Sequence, residues 1–337
     1  KNLKSSYTRD VPIWFMRQAG RYMKEYHQVK HKFKVFLDMC KNVDAVVDIT
    51  MQPIHKFDLD AAIIFSDILI VLECLNLKVD FVPNIGPVVD NKDLSKKINN
   101  LTFDKELNEL LPVYQSITKV KTELIKKDIP LIGFSGAPWT LATYILEGKV
   151  SKDHHKIRKY AIENPGSMEK LITVLSELIF EHLCNQIESG VDVIQIFESH
   201  SNSMDYYLAK KYMIDNISLL TSRLKNRYPE IPIIFFSKSN NFVQEKSFFS
   251  NVDGISFGSN FRMKDYEDLI PNKICYQGNL DPIKLMVGGK EMKNTVDLIL
   301  KDMKDKKFIF NLGHGILPGT PIENVKDVIE QVRQFKR

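Results

Sequence analysis

One rhythm constrains this chain more than any other feature. Short apolar runs, each the size of a β-strand, alternate with longer stretches of helical periodicity. The runs cover residues 13–15, 61–65, 130–134, 191–197, 232–236, 254–257, 274–276 and 308–311. Amphipathic stretches follow them at about 40–57, 105–127, 167–189, 203–228, 240–249, 263–270, 283–304 and 322–335. Asn164-Pro165-Gly166 starts one helix and Ser189-Gly190 ends it. Ile129-Pro130 and Ile231-Pro232 put proline at strand starts, where a missing donor is tolerated. Strands that alternate with helices build a parallel sheet with helices outside it. Eight repeats in 337 residues favour a closed α/β (β/α)8 TIM-type barrel over an open doubly wound sheet.

One segment breaks the rhythm. Residues 77–103 contain Lys78–Val82 and then Pro83, Gly86 and Pro87, so a small hairpin is expected between the second strand and its helix. No linker, repeat or low-complexity tract divides the chain, and 1–337 is expected to be a single barrel domain. Residues 1–10 are expected to form a flexible N-terminal arm, with no signal-peptide apolar core.

Composition narrows the function. Hydrophobic residues make up 44%, enough for a large core, and no apolar run approaches the ~20 residues of a membrane helix. The net charge of +5 is small and scattered, which argues against nucleic acid but suits an anionic small ligand. Cys40, Cys74, Cys184 and Cys275 lie far apart without a CxxC pair, so reduced thiols are expected rather than a zinc site.

Polar and glycine-rich residues follow the runs, and in a barrel such positions converge on one mouth. Arg17-Gln18-Ala19-Gly20-Arg21 follows the first run, Ser66-Asp67 the second, and Ser135 to Thr140 and Tyr144 the third. Glu198-Ser199-His200 follows the fourth, Gln277 to Pro282 the seventh and Gly313-His314-Gly315 the eighth. Arg17 and Arg21 can point the same way from a tight turn, and guanidinium groups suit carboxylates or phosphates. Surface ion pairs are the alternative for an arginine pair. Asp67 is poorly solvated between apolar neighbours: it either caps the turn that follows or stabilises a developing cation. His314, between glycines, is a ligand contact or a turn residue. Tyr144 is a core tyrosine or a site residue. His182 reads as structural, and Phe197 to His200 is not a nucleophile elbow.

These segments resemble a known family. Trp14 to Tyr22, Ile64 to Leu69, 133–147, Phe197 to His200, Gln277 to Pro282 and Asn311 to Gly315 are similar, in order, to the signatures of the uroporphyrinogen decarboxylases. The resemblance spans about 11–335 and implies a (β/α)8 barrel that works as a homodimer with facing clefts. It also implies conversion of uroporphyrinogen III to coproporphyrinogen III, four acetates becoming methyls, with no metal and no organic cofactor. By position, Arg17, Ala19, Arg21, Asp67, Tyr144, Ser199 and His314 would line the substrate site. Lys30 stands where arginine is usual, keeping the charge without the planar fork. Ser237-Lys238-Ser239-Asn240 replaces a glycine-containing stretch and Ser256-Phe257 an Asp-Trp pair. No family roles are assigned at either.

The implied chemistry suits these residues. An octacarboxylate needs positive charge, which Arg17, Arg21 and Lys30 supply. Asp67 can accept several pyrrole N–H bonds and stabilise a pyrrolium cation. Arg17, Tyr144 and His314 are the candidate proton donors, directly or through water. Two other readings are a non-catalytic tetrapyrrole-binding protein and a zinc- and corrinoid-linked methyltransferase of the same superfamily. The latter needs a thiolate and imidazole cluster, and the stretch after Phe236 offers no cysteine. The expected setting is soluble, in cytoplasm or plastid, with no nucleic-acid or membrane partner.

Overall fold

The computed structural model describes residues 3, 10–82, 85–92 and 97–337, so most of the expected N-terminal arm lies outside the described residues. Seven parallel strands form one sheet in the order β1 (Ala62–Ile63), β4 (Leu131–Gly136), β5 (Val193–Glu198), β6 (Ile233–Ser237), β7 (Gly254–Phe257), β8 (Cys275–Leu280) and β9 (Phe308–Leu312). The excursion is a two-stranded antiparallel hairpin, β2 (Val79–Val82) with β3 (Gly86–Val89).

The run at 13–15 is not a full strand. It makes a single parallel bridge, Ile13 to Phe310, and Phe310 N–H donates to the Pro12 carbonyl at 2.8 Å. On the other edge the Asp60 N–H donates to the Ile13 carbonyl at 2.9 Å, which closes the ring. The ladder ends here because side chains satisfy the backbone instead. Asp60 accepts the Ile13 N–H, Gln18 the Phe15 N–H and Asn311 the Met16 N–H.

Side chains alternate between two cores, as the period of a strand dictates. In β6, Ile234 and Phe236 join Trp14, Ile132, Val193 and Ile309 inside the barrel. Ile233 and Phe235 face the shell of helices. A buried polar chain crosses the interior: Trp14 Nε1 donates to Gln277 Oε1, and Gln277 Nε2 donates to Gln195 Oε1 and Ser256 Oγ. Ser256 is therefore a barrel-interior residue, and Phe257 stacks on Tyr276 in the outer core. Neither residue of this Ser256-Phe257 pair lines the mouth.

Three aspartates seal the end of the barrel opposite the mouth. Asp60, Asp192 and Asp253 each accept the N–H of a residue at a neighbouring strand start (Ile13, Leu131, Ile233) and pair with Arg333, Lys121 and Lys225. Residues at this end serve stability, which leaves the other end for function.

The expected helices at 240–249 and 263–270 are instead short 3-10 turns, Asn241–Gln244, Lys246–Ser250 and Met263–Tyr266. Phe242 and Phe248 pack edge-on against Phe235, and Phe249 packs edge-on against Phe242 and Phe248, so the segment folds around an aromatic cluster. Helices Pro138–Glu147 and Pro165–Glu188 carry the third strand's crossover, with His155–Glu163 between them. His182 is buried between Tyr114 and Gln186, a packing role as expected.

Candidate active site

The mouth begins with the Arg17–Arg21 turn, which one buried side chain holds. Gln18 Oε1 accepts the Phe15 N–H, and its Nε2 donates to the Ala61 carbonyl at 3.1 Å. Tyr22 Oη donates to the Gln18 carbonyl at 2.7 Å. Arg17 itself has φ +57°, a conformation uncommon for a residue with a Cβ and concentrated at functional sites. The two arginines leave a turn, not a helix, since the first helix spans Lys24–Lys30. Their side chains have no hydrogen bond or ion pair among the described residues, whereas Arg223, Arg227, Arg262 and Arg333 each hold a carboxylate. The ion-pair reading of Arg17 and Arg21 therefore fails.

Asp67 holds the turn that follows it. Its Oδ1 accepts the Leu69 N–H at 2.8 Å, opening the 3-10 turn Ile70–Leu75. Burial raises its pKa above the ordinary carboxylate range, against the lowering effects of that hydrogen bond and of Arg17. Tyr144, on helix Pro138–Glu147, has its phenol pushed up to about 12, chiefly by burial and then by Asp67. Arg17, Asp67 and Tyr144 thus act on one another.

A second group faces them. Tyr144 meets His200 edge-to-face at 5.0 Å, and His200 meets His154 at 4.5 Å. His314 and His200 are both held down at about 3, first by burial, so both rings are neutral at pH 7. Lys238 and Arg17 also act on His314. The Ser199 N–H donates to Thr140 Oγ1, and that hydroxyl donates to Glu198 Oε1 at 2.7 Å. Glu198 also accepts the His200 N–H at 2.9 Å. Glu198 is fully buried, and burial raises its pKa to about 7. This clamp sets the direction of Ser199 and His200.

The arrangement offers a free guanidinium group, a desolvated carboxylate, a protonated phenol and neutral imidazoles around one opening, with the exposed Arg21 nearby in sequence. That set has the chemistry to bind a polyanion and to stabilise positive charge at its centre. The model of the family described as "Uroporphyrinogen decarboxylase (URO-D)" matches residues 2–335. The chain belongs to the uroporphyrinogen decarboxylase family. A relative named uroporphyrinogen decarboxylase from Rickettsia bellii (strain RML369-C) is 41% identical over 327 residues, 96% of this chain and 95% of the relative. One of the same name from Rickettsia canadensis (strain McKiel) is 40% identical over 332 residues, covering 97% and 96%. Among solved structures, a methyltransferase from Methanosarcina mazei superposes with TM-score 0.77 at 17% identity, over 98% of this chain and 96% of that one. That likeness concerns the barrel alone.

Seen as a uroporphyrinogen decarboxylase site, the mouth holds Arg17, Asp67, Tyr144, Ser199 and His314. Ala19 is half-buried and packs against the small core cluster that contains Met23, Tyr26 and Val29. Arg21 is exposed and acts on Tyr26. Lys30 sits in the last turn of Lys24–Lys30, half-buried, without an ion pair among the described residues. Sequence reasoning gave no role to Lys238, which follows β6 directly, as Arg17 and Asp67 follow their runs. That position was the available signal. Thr140 and Glu198 also follow runs, but nothing in the sequence pairs the two across the 58 residues between them.

Proposed function

We propose that this chain decarboxylates uroporphyrinogen, turning four acetate side chains into methyls and releasing coproporphyrinogen. Full-length relatives of that name at about 41% identity carry the reading, and the site chemistry supports it. Arg17 and Arg21 take substrate carboxylates, with Lys30 adding charge at the rim and Ala19 and Ser199 contacting the ring system. Asp67 is already desolvated and accepts pyrrole N–H bonds with the oxygen not engaged at Leu69.

Each round adds one proton and loses one CO2. Protonation of the ring α-carbon next to the carbon that bears the acetate makes a pyrrolium cation, with positive charge shared onto the acetate-bearing carbon. The electron pair of the C–CO2 bond then enters the ring and neutralises it. A second proton reaches the exocyclic carbon as the ring carbon gives up the first. Asp67 lowers the energy of the cation in a low-dielectric site. His314 is neutral at pH 7 and serves as a hydrogen-bond partner, not as an imidazolium donor. Tyr144 keeps its proton and, with a water it orders, forms the proton route. Arg17, whose guanidinium does not give up its proton, anchors a carboxylate beside the reacting ring.

The same reading includes a homodimer with facing clefts, which sedimentation of the purified chain tests. No helix among the described residues is long and apolar enough to cross a membrane. The activity is tested by incubation with uroporphyrinogen under reducing conditions, followed by separation of porphyrins with eight to four carboxylates. Stepwise loss of carboxylates is expected. Bound but unchanged substrate would instead mark a tetrapyrrole-binding protein.

A further inference from the structure

Lys238 stands at the carboxyl end of β6 and is half-buried. Among the described residues it has no hydrogen bond and no ion pair. A cation taken partly out of water without a counter-ion is costly unless a ligand supplies one. Burial lowers its ammonium pKa, and Arg17 lowers it further. Glu198 is the one acidic group acting on it. That carboxyl is already engaged with Thr140 and the His200 N–H, and at pH 7 it is only partly ionised. A second observation is independent of the first. His200 Nε2 is buried and has no partner, although the backbone of His200 is fixed by Glu198. Ser237 pairs with Glu198 across β6 and β5, and Ser201 Oγ lies 3.0 Å from Ser237 Oγ, so Lys238 and His200 leave adjoining strand ends, and Lys238 acts on the rings of both His200 and His314.

We propose that Lys238 and His200 form a carboxylate subsite in the mouth that holds a propionate of the bound tetrapyrrole, an assignment that rests on the decarboxylase reading. The propionate follows from the chemistry. Negative charge leaves the reacting acetate in the transition state, so a cation paired with that group stabilises the reactant more than the transition state and slows the step. The useful occupant is a carboxylate that survives all four rounds. Such a contact anchors every intermediate in the same way.

The test uses Lys238→Met and Lys238→Arg, with thermal melts to show that both fold. Two quantities are read: affinity for coproporphyrinogen, which keeps its four propionates, and kcat and KM for the octacarboxylate and pentacarboxylate substrates. Lys238→Met should weaken product binding and raise both KM values about 10-fold, with kcat within about 3-fold of the parent. Lys238→Arg should restore most of the loss. Unchanged product affinity, a fall in kcat alone, or a KM effect confined to the octacarboxylate would each overturn the subsite. Product binding is read without turnover. A parent chain that binds coproporphyrinogen through Lys238 but converts nothing would overturn the decarboxylase reading and leave the subsite standing.

Discussion

The side chain of Arg17 lies directly over Gly315. A Cβ on that glycine would fall 2.3 Å from Arg17 Cδ and 2.6 Å from its Cγ. The loop after the last strand therefore shapes the position of the first arginine of the site. Both flank the one place where the barrel closes by a single bridge, and Ile316 N–H donates to the Met16 carbonyl beside it.

Gly315→Ala should consequently act as an Arg17 variant without touching the substrate. The guanidinium must move by more than an ångström, and such misplacement costs about 100-fold in kcat/KM. The melting temperature should stay within a few degrees of the parent, because Arg17 is exposed and can shift. Steady-state kinetics beside a thermal melt checks this, and an active Gly315→Ala enzyme would show that Arg17 has no fixed role.

The three sequence-assigned cations differ in what holds them. Arg17 and Arg21 leave an anchored turn, whereas Lys30 ends a seven-residue helix and offers a point charge. Arg17→Met and Arg21→Met should each raise KM by roughly 10-fold or more. Lys30→Met should raise it about 2-fold, an effect that salt removes. KM measured at low and high ionic strength distinguishes them.

Glu198 gives a pH signature. Burial moves its pKa from 4.5 to about 7, so between those values the folded protein binds more protons than the unfolded chain. Its contribution favours folding at low pH and is lost as pH rises through about 7. Glu198→Gln removes that dependence while keeping an acceptor for Thr140 and His200. Relative to the parent, the variant should gain stability from pH 5 to pH 8. Urea denaturation at the two pH values reads the difference, and an equal offset at both would place the Glu198 carboxyl outside this titration.

Much of the fold was legible because strand period and helix period are local. Seven of the eight runs became strands of the sheet, and the hairpin appeared within 77–103. The run at 13–15 reads as a strand for the same local reason. Yet the N–H groups of Ile13, Phe15 and the following Met16 go to Asp60, Gln18 and Asn311, up to 295 residues away, and no periodicity reports such partners. The site was partly legible because barrel strand ends converge. Arg17 and Asp67 were singled out that way, whereas Tyr144 came from the family resemblance, its spacing alone giving it little weight. The helix at 240–249 failed because its phenylalanines recur at spacings that suit either a helix or a compact aromatic cluster, and packing on Phe235 decided it. Lys238 was overlooked because burial without a partner is a tertiary fact.

The central claim is that Asp67 stabilises positive charge on the ring and does not merely hold it. Asp67→Asn keeps an oxygen for the Leu69 N–H, so the turn that follows should survive. Steady-state kinetics on uroporphyrinogen is the direct measurement. A fall in kcat of about 100- to 1,000-fold, with KM changed only a few-fold, is the predicted result. A raised KM with kcat unchanged would contradict the account and reduce Asp67 to a binding residue.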